Sequence, residues 1–595
     1  MKHTVVSKLP FILLILAATV IAAATFVEAR QGTAVAHELI YNSWAFKLLW
    51  LAIVVSGGIV LWKRKMWHRW TILLLHLSFV VILGGALLTN LTSKKGMLHL
   101  RQGIPADRFL MDNRLEELPF LVRLDTFHIQ YYPGTEAPQD YISLLTIEGE
   151  QHSVSMNRIA RVQGYRLYQT SYDPDQHGTI LSVNYDPWGI PVTYLGYGLL
   201  ALSMVLYLLR RRSVLLVFLF FALPMQAGYP AIDKAEAQKI ARQQVMWNDR
   251  PCPVGVMAHD FLLKVYGKAT YHGLSATQVL ASWTLAPDAW NDEPIIKKGR
   301  GEYVKLNDFV DRDGDVPRLR NVGSDPKVDE KVALILMLQQ GTLVRDLPAD
   351  VEPLFEMRVS VELFYARVPW ALWGMISCFL LAIFLSFFRS GILSAVQVLI
   401  LSFLLVAFVL RWYIAGHVPL SNGYETMLFL AFCLLAVGLR LRQRGERAVA
   451  VLMAAFVLLV AHLSEKNPQV TPLMPVLHSP WLSAHVSIIM MSYALLGLSI
   501  VKRRLLPLAV CLLAIGIFLG AIWANVSWGT YWSWDPKESW ALVTLIIYSL
   551  PLHEESLPWF RSERNYRLYS ILGLLSLLMT YFGVNYLLGG MHSYA

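Results

Sequence analysis

The residues of this chain with the clearest capacity for chemistry are tryptophans packed into one stretch and histidines set in or beside apolar runs. Trp523, Trp528, Trp532, Trp534 and Trp540 fall within the eighteen residues "WANVSWGTYWSWDPKESW". Flat indole faces suit a large, planar, apolar ligand. The plainer reading is an interfacial aromatic belt, although a belt places about one or two tryptophans at a helix end. Within the same stretch Asp535 suits a helix N-cap, Pro536 the first helical position and Glu538 the third position of a capping box. Both acids therefore read as shaping a helix start rather than exchanging protons, and Lys537 fits either a ligand carboxylate or a solvated interfacial role. Four of the sixteen histidines stand in apolar context. They are His76 in "HRWTILLLHLSFVVILGGALL", His485 in "WLSAHVSIIMMSYALLG", His553 in "IIYSLPLHEES" and His592 in "GGMHSYA". Neutral imidazole is a good ligand for iron, zinc or copper.

The elements that position them are membrane spans. The 595 residues are 55% hydrophobic and 16% charged, where a soluble protein carries roughly 25% charged residues. An ordinary cytosolic enzyme, a disordered chain and a nucleic-acid-binding protein are thereby excluded, and the net charge of +10 belongs to membrane topology. Apolar runs at 10–27, 45–62, 71–91, 191–209, 214–227, 368–388, 391–411, 424–439, 448–463, 483–501, 505–523, 540–555 and 568–589 give about thirteen candidate spans, the first read as retained rather than cleaved. Basic residues cluster in alternate short loops: Lys63, Arg64, Lys65 and Arg69; Arg210, Arg211 and Arg212; Arg440, Arg442, Arg444 and Arg447; Lys502, Arg503 and Arg504; Arg561, Arg564 and Arg567. They place the N-terminus in the cytoplasm and the C-terminus outside. Two long polar inserts then fall outside. The first carries strand-like segments such as "PFLVRLDTFHIQYY", "DYISLLTIEG", "YRLYQTSY" and "TILSVNYDPW". The second is mainly helical in pattern. The expected architecture is a polytopic α-helical membrane protein: membrane helices in 1–91, a β-rich extracytoplasmic domain in 92–190, a helical hairpin in 191–227, a mainly α extracytoplasmic insert in 228–367 and a second membrane domain in 368–595.

On this topology His76 and His553 lie at the inner level, and His485 and His592 at the outer level. Histidine at membrane depth is costly and usually functional, and two histidines on different helices can hold one iron from both faces of a planar heme. Taken singly each also fits a plainer role: His592 as a terminal surface residue, His553 as an interfacial one, His485 as a helix start. His417, in "RWYIAGHVPLSNGYETMLF", is a fifth candidate, in a context that favours a structured turn. Cys252, Cys378, Cys433 and Cys511 form no CxxC and no zinc spacing, so no thiol redox centre is encoded.

The stretch "ANVSWGTYWSWDPKESWAL" resembles the WWD signature of heme-handling proteins, which include the CcmC, CcmF and CcsA families. "GHVPLSNGYETMLFLAF", "LMPVLHSPWLSAHVSIIMMSYALLGLS" and "GVNYLLGGMHSYA" resemble CcsA (ResC). "TFVEARQGTAVAHELIYNSWAFKLLWLAIVV", "LLLHLSFVVILGGALLT" and "YRLYQTSYD" resemble CcsB (ResB). The whole chain thus resembles the fused System II cytochrome c synthases, the CcsBA family. The resemblance implies that His76 and His553 bind heme b arriving from the cytoplasm. It implies that His485 and His592 hold it outside against Trp528, Trp532, Trp534 and Asp535, and that thioether bonds then join it to the CxxCH motif of an apocytochrome c. It further implies residence in a bacterial cytoplasmic membrane, in contact with lipid, with a separate thiol-reducing protein as partner and no nucleic acid. The rival readings are a heme transporter or delivery subunit without ligation activity, a respiratory cytochrome and an ion-coupled transporter. A respiratory cytochrome pairs its histidines on one helix, which is not seen here, and a transporter needs acids along its spans, which hold very few.

Overall fold

The computed structural model describes residues 2–111, 113–209, 234–299, 301–311, 318–319, 325–388, 391–464 and 468–588. Among them ten helices are long and apolar enough to cross a bilayer: Ser7–Gln31, Trp44–Lys63, Trp70–Thr92, Gly189–Leu206, Trp370–Phe387, Gly391–Ala415, Arg444–Ser464, Pro480–Leu498, Arg503–Trp528 and Glu563–Leu588. Large apolar side chains such as Leu51, Val55, Leu87, Ile383, Leu399 and Leu572 stand exposed along them. Such a surface is stable only against lipid. The protein is a multi-pass membrane protein.

Ten of the thirteen expected spans correspond to these helices. The run at 214–227 lies outside the described residues. Gly423–Gly438 is a 16-residue helix, roughly 24 Å long at 1.5 Å per residue and short of a bilayer core of about 30 Å. The run at 540–555 becomes the 14-residue helix Pro536–Ser549 continued by the 3₁₀ segment Leu550–His553. The looser rise of the 3₁₀ turn adds roughly 8 Å to roughly 21 Å of α-helix, which carries His553 close to the far end of the bundle.

Eight strands follow the His76 helix: β1 Lys94–Arg101, β2 Pro105–Met111, β3 Arg114–Tyr131, β4 Pro138–Ile147, β5 Glu150–Val154, β6 Ala160–Val162, β7 Tyr165–Tyr172 and β8 Gly178–Tyr185. They form one sheet in the order β5-β4-β3-β2-β1-β8-β7-β6, with every neighbour antiparallel. Alternation drives it: along β3, Leu118, Phe120, Val122 and Leu124 are buried while their neighbours face outward. The chain returns to the membrane at Asp186. Its buried carboxylate accepts from Thr89 Oγ1 at 2.6 Å and from the Gly189 amide at 2.8 Å, pinning the end of the His76 helix to the start of Gly189–Leu209. A Cβ on Gly85 would lie 2.6 Å from the Thr193 amide nitrogen, so the absent side chain permits the close helix contact that small residues provide in membranes.

The second insert has helices at Lys234–Arg242, Val254–Val265, Ala276–Leu285, Pro326–Gln339 and Glu356–Arg367, with strands of two to four residues between them. A core of Met257, Phe261, Val279, Trp283, Ile295 and Ile335 holds it together.

In the second membrane domain Arg411 is fully buried and pairs with Glu425 at 2.6 Å. Its Nη1 and Nη2 donate to the carbonyls of Pro468 and Gln469, and Glu425 also accepts from the Ser421 amide and hydroxyl. This shared carboxylate holds the "GHVPLSNGYET" turn, and His417 Nδ1 donates to the Val418 carbonyl at 3.2 Å. The adjacent Thr426 hydroxyl meets Tyr581 at 2.7 Å, tying the turn to the final, π-helical segment Met579–Leu588.

The sheet docks on the loops of this domain. Tyr132 donates to the Leu473 carbonyl at 2.9 Å and stands 2.7 Å from His478 Nε2, while Asn157 donates to the Pro475 carbonyl. Burial, with His417 nearby, pushes the His478 imidazole below the usual histidine range against the opposing pull of Asp140. A depressed folded-state value means that the contribution is present above the unfolded value of about 6.5 and is lost as pH falls through the folded value. Protection of residues 130–137 and 473–478 in hydrogen exchange is therefore expected to drop between pH 7.5 and 5, and His478→Gln to flatten that dependence. An unchanged profile in His478→Gln would exclude this histidine as the cause.

Candidate functional site

His76 lies in the second turn of the helix Trp70–Thr92, and His553 ends the 3₁₀ continuation of Pro536–Ser549. The fold brings these residues together although they are far apart in sequence. Their ring centroids are 6.0 Å apart with the planes at 82°. Two imidazoles sharing one metal, each bonded at about 2.0 Å, have centroids roughly 6 Å apart. Each ring is oriented by its own helix: His76 Nδ1 donates to the Ile72 carbonyl at 2.8 Å and His553 Nδ1 to the Ser549 carbonyl at 3.0 Å. A carbonyl only accepts, so Nδ1 carries the proton and Nε2 is left as the ligand-capable nitrogen. Phe11 packs on His553 at 5.1 Å. Among the described residues no group of three or more His, Cys, Asp or Glu is arranged to hold a metal ion. A two-imidazole set suits an iron whose other positions a porphyrin fills.

His485 opens the second level. On the helix Pro480–Leu498, its Nδ1 donates to the Gly516 carbonyl at 2.7 Å, which fixes the same tautomer. One turn further along the helix Leu506–Trp528, a Cβ on Gly520 would lie 2.7 Å from His485 Nδ1 and Cε1. Gly516 supplies the acceptor and Gly520 the vacant space, so the pair forms a seat for the imidazole. Sequence reasoning missed it; the only available signal was a glycine pair at i, i+4 in an apolar helix. His592 lies outside the described residues.

The tryptophans are not one open platform. Trp523 is buried and edge-on to Trp528, with centroids 4.8 Å apart at 69°. Trp532 meets Trp534 at 5.7 Å and 86°. One face of Trp534 is taken by Tyr41, stacked at 4.7 Å and 10°, and Phe46 stands edge-on at 5.3 Å. Trp540 donates to Thr25 at 3.0 Å. The first membrane segments therefore supply a wall for the loop. Trp534 adopts a left-handed backbone with φ 58°, which costs a non-glycine residue about 1–2 kcal/mol. Neighbours hold that turn: His37 Nε2 donates to the Ser533 carbonyl at 3.0 Å, and Ser539 donates to the Trp534 carbonyl at 3.0 Å. Asp535 caps the helix as expected, accepting from the Lys537 amide at 2.9 Å. Glu538 departs from the expected capping box. It accepts from the Ser533 amide at 2.8 Å, because the left-handed Trp534 swings that amide over the first turn. His37 and Tyr41 were not foreseen as neighbours of this loop.

The β-domain closes the loop from above. Asn184 donates to the Gly529 carbonyl, and Arg166 donates to Asn525 at 3.3 Å. Gly529 has φ 82°, and a Cβ there would lie 2.6 Å from the Tyr168 ring. The buried Tyr168 hydroxyl is pushed up to about 12, mainly by desolvation.

Similarity to known proteins makes this a membrane protein of cytochrome c biogenesis. The Cytochrome C assembly protein family model matches residues 420–502 and 498–592, and the ResB-like family model matches residues 50–189. Protein NrfI of Wolinella succinogenes is 27% identical over 98% of this chain and 94% of its own length. The cytochrome c biogenesis protein CcsA of Pyropia yezoensis is 33% identical over 31% of this chain and 81% of its own length. CcsA of Prochlorococcus marinus strain MIT 9303 is 32% identical over 36% of this chain and 89% of its own length. The chain belongs to the fused CcsB/ResB–CcsA/ResC (CcsBA) family.

Two glycines test the geometry directly. Gly520→Ala and Gly529→Ala are each expected to destabilise by about 1–3 kcal/mol, through overpacking against His485 and through overpacking plus backbone strain against Tyr168. Gly198, with open space around it, serves as the control. Melting temperatures in detergent that match for all three alanine variants would refute the seat.

Proposed function

We propose that this protein is a cytochrome c synthase. It takes heme b from the cytoplasmic side at His76 and His553, moves it outward, and presents it at His485, His592 and the loop of Trp528, Trp532, Trp534 and Asp535 for attachment to an apocytochrome c. The observation that carries the reading is the 6.0 Å spacing of His76 and His553, with both Nδ1 protons committed to helix carbonyls. Heme is the cargo and the substrate. In each attachment a cysteine thiol of the partner's CxxCH motif adds across a heme vinyl group. The sulfur bonds to one vinyl carbon and a hydrogen to the other, with no net oxidation. The chain's own residues contribute binding and orientation: imidazoles hold the iron, the loop restricts the macrocycle, and the partner's thiols meet the vinyl groups at high effective concentration. The addition needs no covalent nucleophile from this chain.

Cys252, Cys378, Cys433 and Cys511 are all buried and none is in a disulfide. That supports a separate protein as the source of thiol reductant. The Lys/Arg-rich loops support a cytoplasmic position for the His76–His553 end, and an outside position for the sheet and second insert, in a bacterial inner membrane with lipid around the spans.

Coexpression with a CxxCH-bearing reporter, in a host stripped of its own maturation system, tests the proposal. Heme is expected to remain on the reporter through a denaturing gel. His485→Ala or His592→Ala is expected to abolish that signal, with partial rescue by imidazole, and His76→Ala or His553→Ala to lower the heme that copurifies. A bare reporter beside a heme-loaded membrane protein would reduce the function to heme delivery, and full activity in both outer alanine variants would remove the outer site.

A further inference from the structure

The inner histidine pair has a charged rim that its role as an iron site leaves unexplained. Arg64 is the C-cap of the helix Trp44–Lys63, and Arg69 is the N-cap residue of the His76 helix. Between them Lys65 takes a left-handed backbone, φ 51°, and the turn brings both guanidinium groups onto one carboxylate. Arg64 Nη1 lies 3.2 Å from Glu555 Oε2, Arg64 Nη2 donates to the Glu555 carbonyl at 2.9 Å, and Arg69 Nη1 lies 3.3 Å from Glu555 Oε1. Each carboxylate oxygen serves a different arginine. Glu555 follows His553 by two residues, and Arg69 precedes His76 by seven, about 10 Å along a helix. Topology accounts for positive charge in this loop but not for its convergence beside the histidine pair. The neighbouring acid does not relieve the imbalance, because Glu554 pairs with Arg503 at 2.8 Å.

The ion pairs are exchangeable. The side chains of Arg64, Arg69 and Glu555 are 30%, 59% and 58% exposed, so solvent screens the contacts and each is weak. A single carboxylate satisfies two arginine forks poorly, whereas two carboxylates on one rigid molecule would offer each fork its own partner. Heme carries two propionates on one edge.

Resting on the reading of His76 and His553 as heme ligands, we propose that Arg64 and Arg69 form a carboxylate-binding rim that receives the propionates of incoming heme, and that Glu555 occupies the rim until heme displaces it. The rim selects a porphyrin by its acidic edge and sets which edge trails as the macrocycle enters between the two imidazoles.

The purified full-length chain, titrated with hemin and separately with hemin dimethyl ester, tests this. Hemin is expected to bind tighter than the ester by about tenfold or more, the scale of a lost charge-assisted hydrogen bond. Arg64→Gln with Arg69→Gln should abolish the difference by weakening hemin alone. Glu555→Gln should strengthen hemin and leave the ester unchanged. Because removing positive charge can disturb insertion, Arg64→Lys with Arg69→Lys keeps the charge but loses the fork, and should show an intermediate preference. Equal affinity of the wild type for both ligands, or equal weakening of both in the lysine variant, would overturn the rim. Undiminished hemin binding by a His76→Ala, His553→Ala variant would instead overturn the reading of the pair, so the two failures are distinguishable.

Discussion

A neutral imidazole removed from water must place its one N–H proton, and the acceptor it finds decides what the ring can do. In this protein His76, His553 and His485 each give Nδ1 to a backbone carbonyl. Two of those acceptors are one turn back on the same helix; the third belongs to a neighbouring helix. In every case the bond costs no side chain, fixes the ring's rotation and leaves Nε2 as the basic nitrogen. The surrounding architecture serves that bond. The 3₁₀ continuation of Pro536–Ser549 carries His553 to the level of His76, and the vacancy at Gly520 lets His485 approach the Gly516 carbonyl.

The tryptophan loop is where the separate parts of the chain meet. Tyr41, Phe46 and His37 come from the first membrane segments, Tyr168 and Asn184 from the sheet, and Trp534 and Gly529 from the loop itself. The two residues with positive φ, Gly529 and Trp534, sit where the sheet and the first segments press on it. A strained turn persists only when its surroundings over-determine it. Here the first membrane segments and the sheet do so through one stack, two ring contacts and hydrogen bonds to main-chain carbonyls.

Much of this was readable in the sequence wherever a local pattern determined the outcome. β7 coincides with "YRLYQTSY" because an aromatic-rich run is closed by turn residues on both sides. Asp535 caps its helix because the Asp-Pro step prepares it. The shared level of His76 and His553 followed from counting spans and basic loops. What remained hidden depended on contacts distant in sequence. Apolarity alone does not tell that the run ending at His553 finishes as a 3₁₀ segment rather than as α-helix. Tryptophan content does not tell which indole faces are already occupied, and Tyr41 covers one of the best. Glu538 accepts from the Ser533 amide, beside a left-handed tryptophan that no propensity predicts. The glycine seat under His485 is a property of two helices together.

The His37 hydrogen bond to the Ser533 carbonyl spans 496 residues, and the Tyr41–Trp534 stack is similarly remote. During synthesis the first partner of each contact leaves the ribosome long before the second. The loop therefore gains these two contacts only once the chain has been made past residue 534. A chain that stops short of residue 533 lacks one partner of each of these contacts, so His37 and Tyr41 are left without the turn they support. Having both halves in one polypeptide also enforces one-to-one stoichiometry between the wall and the loop it supports.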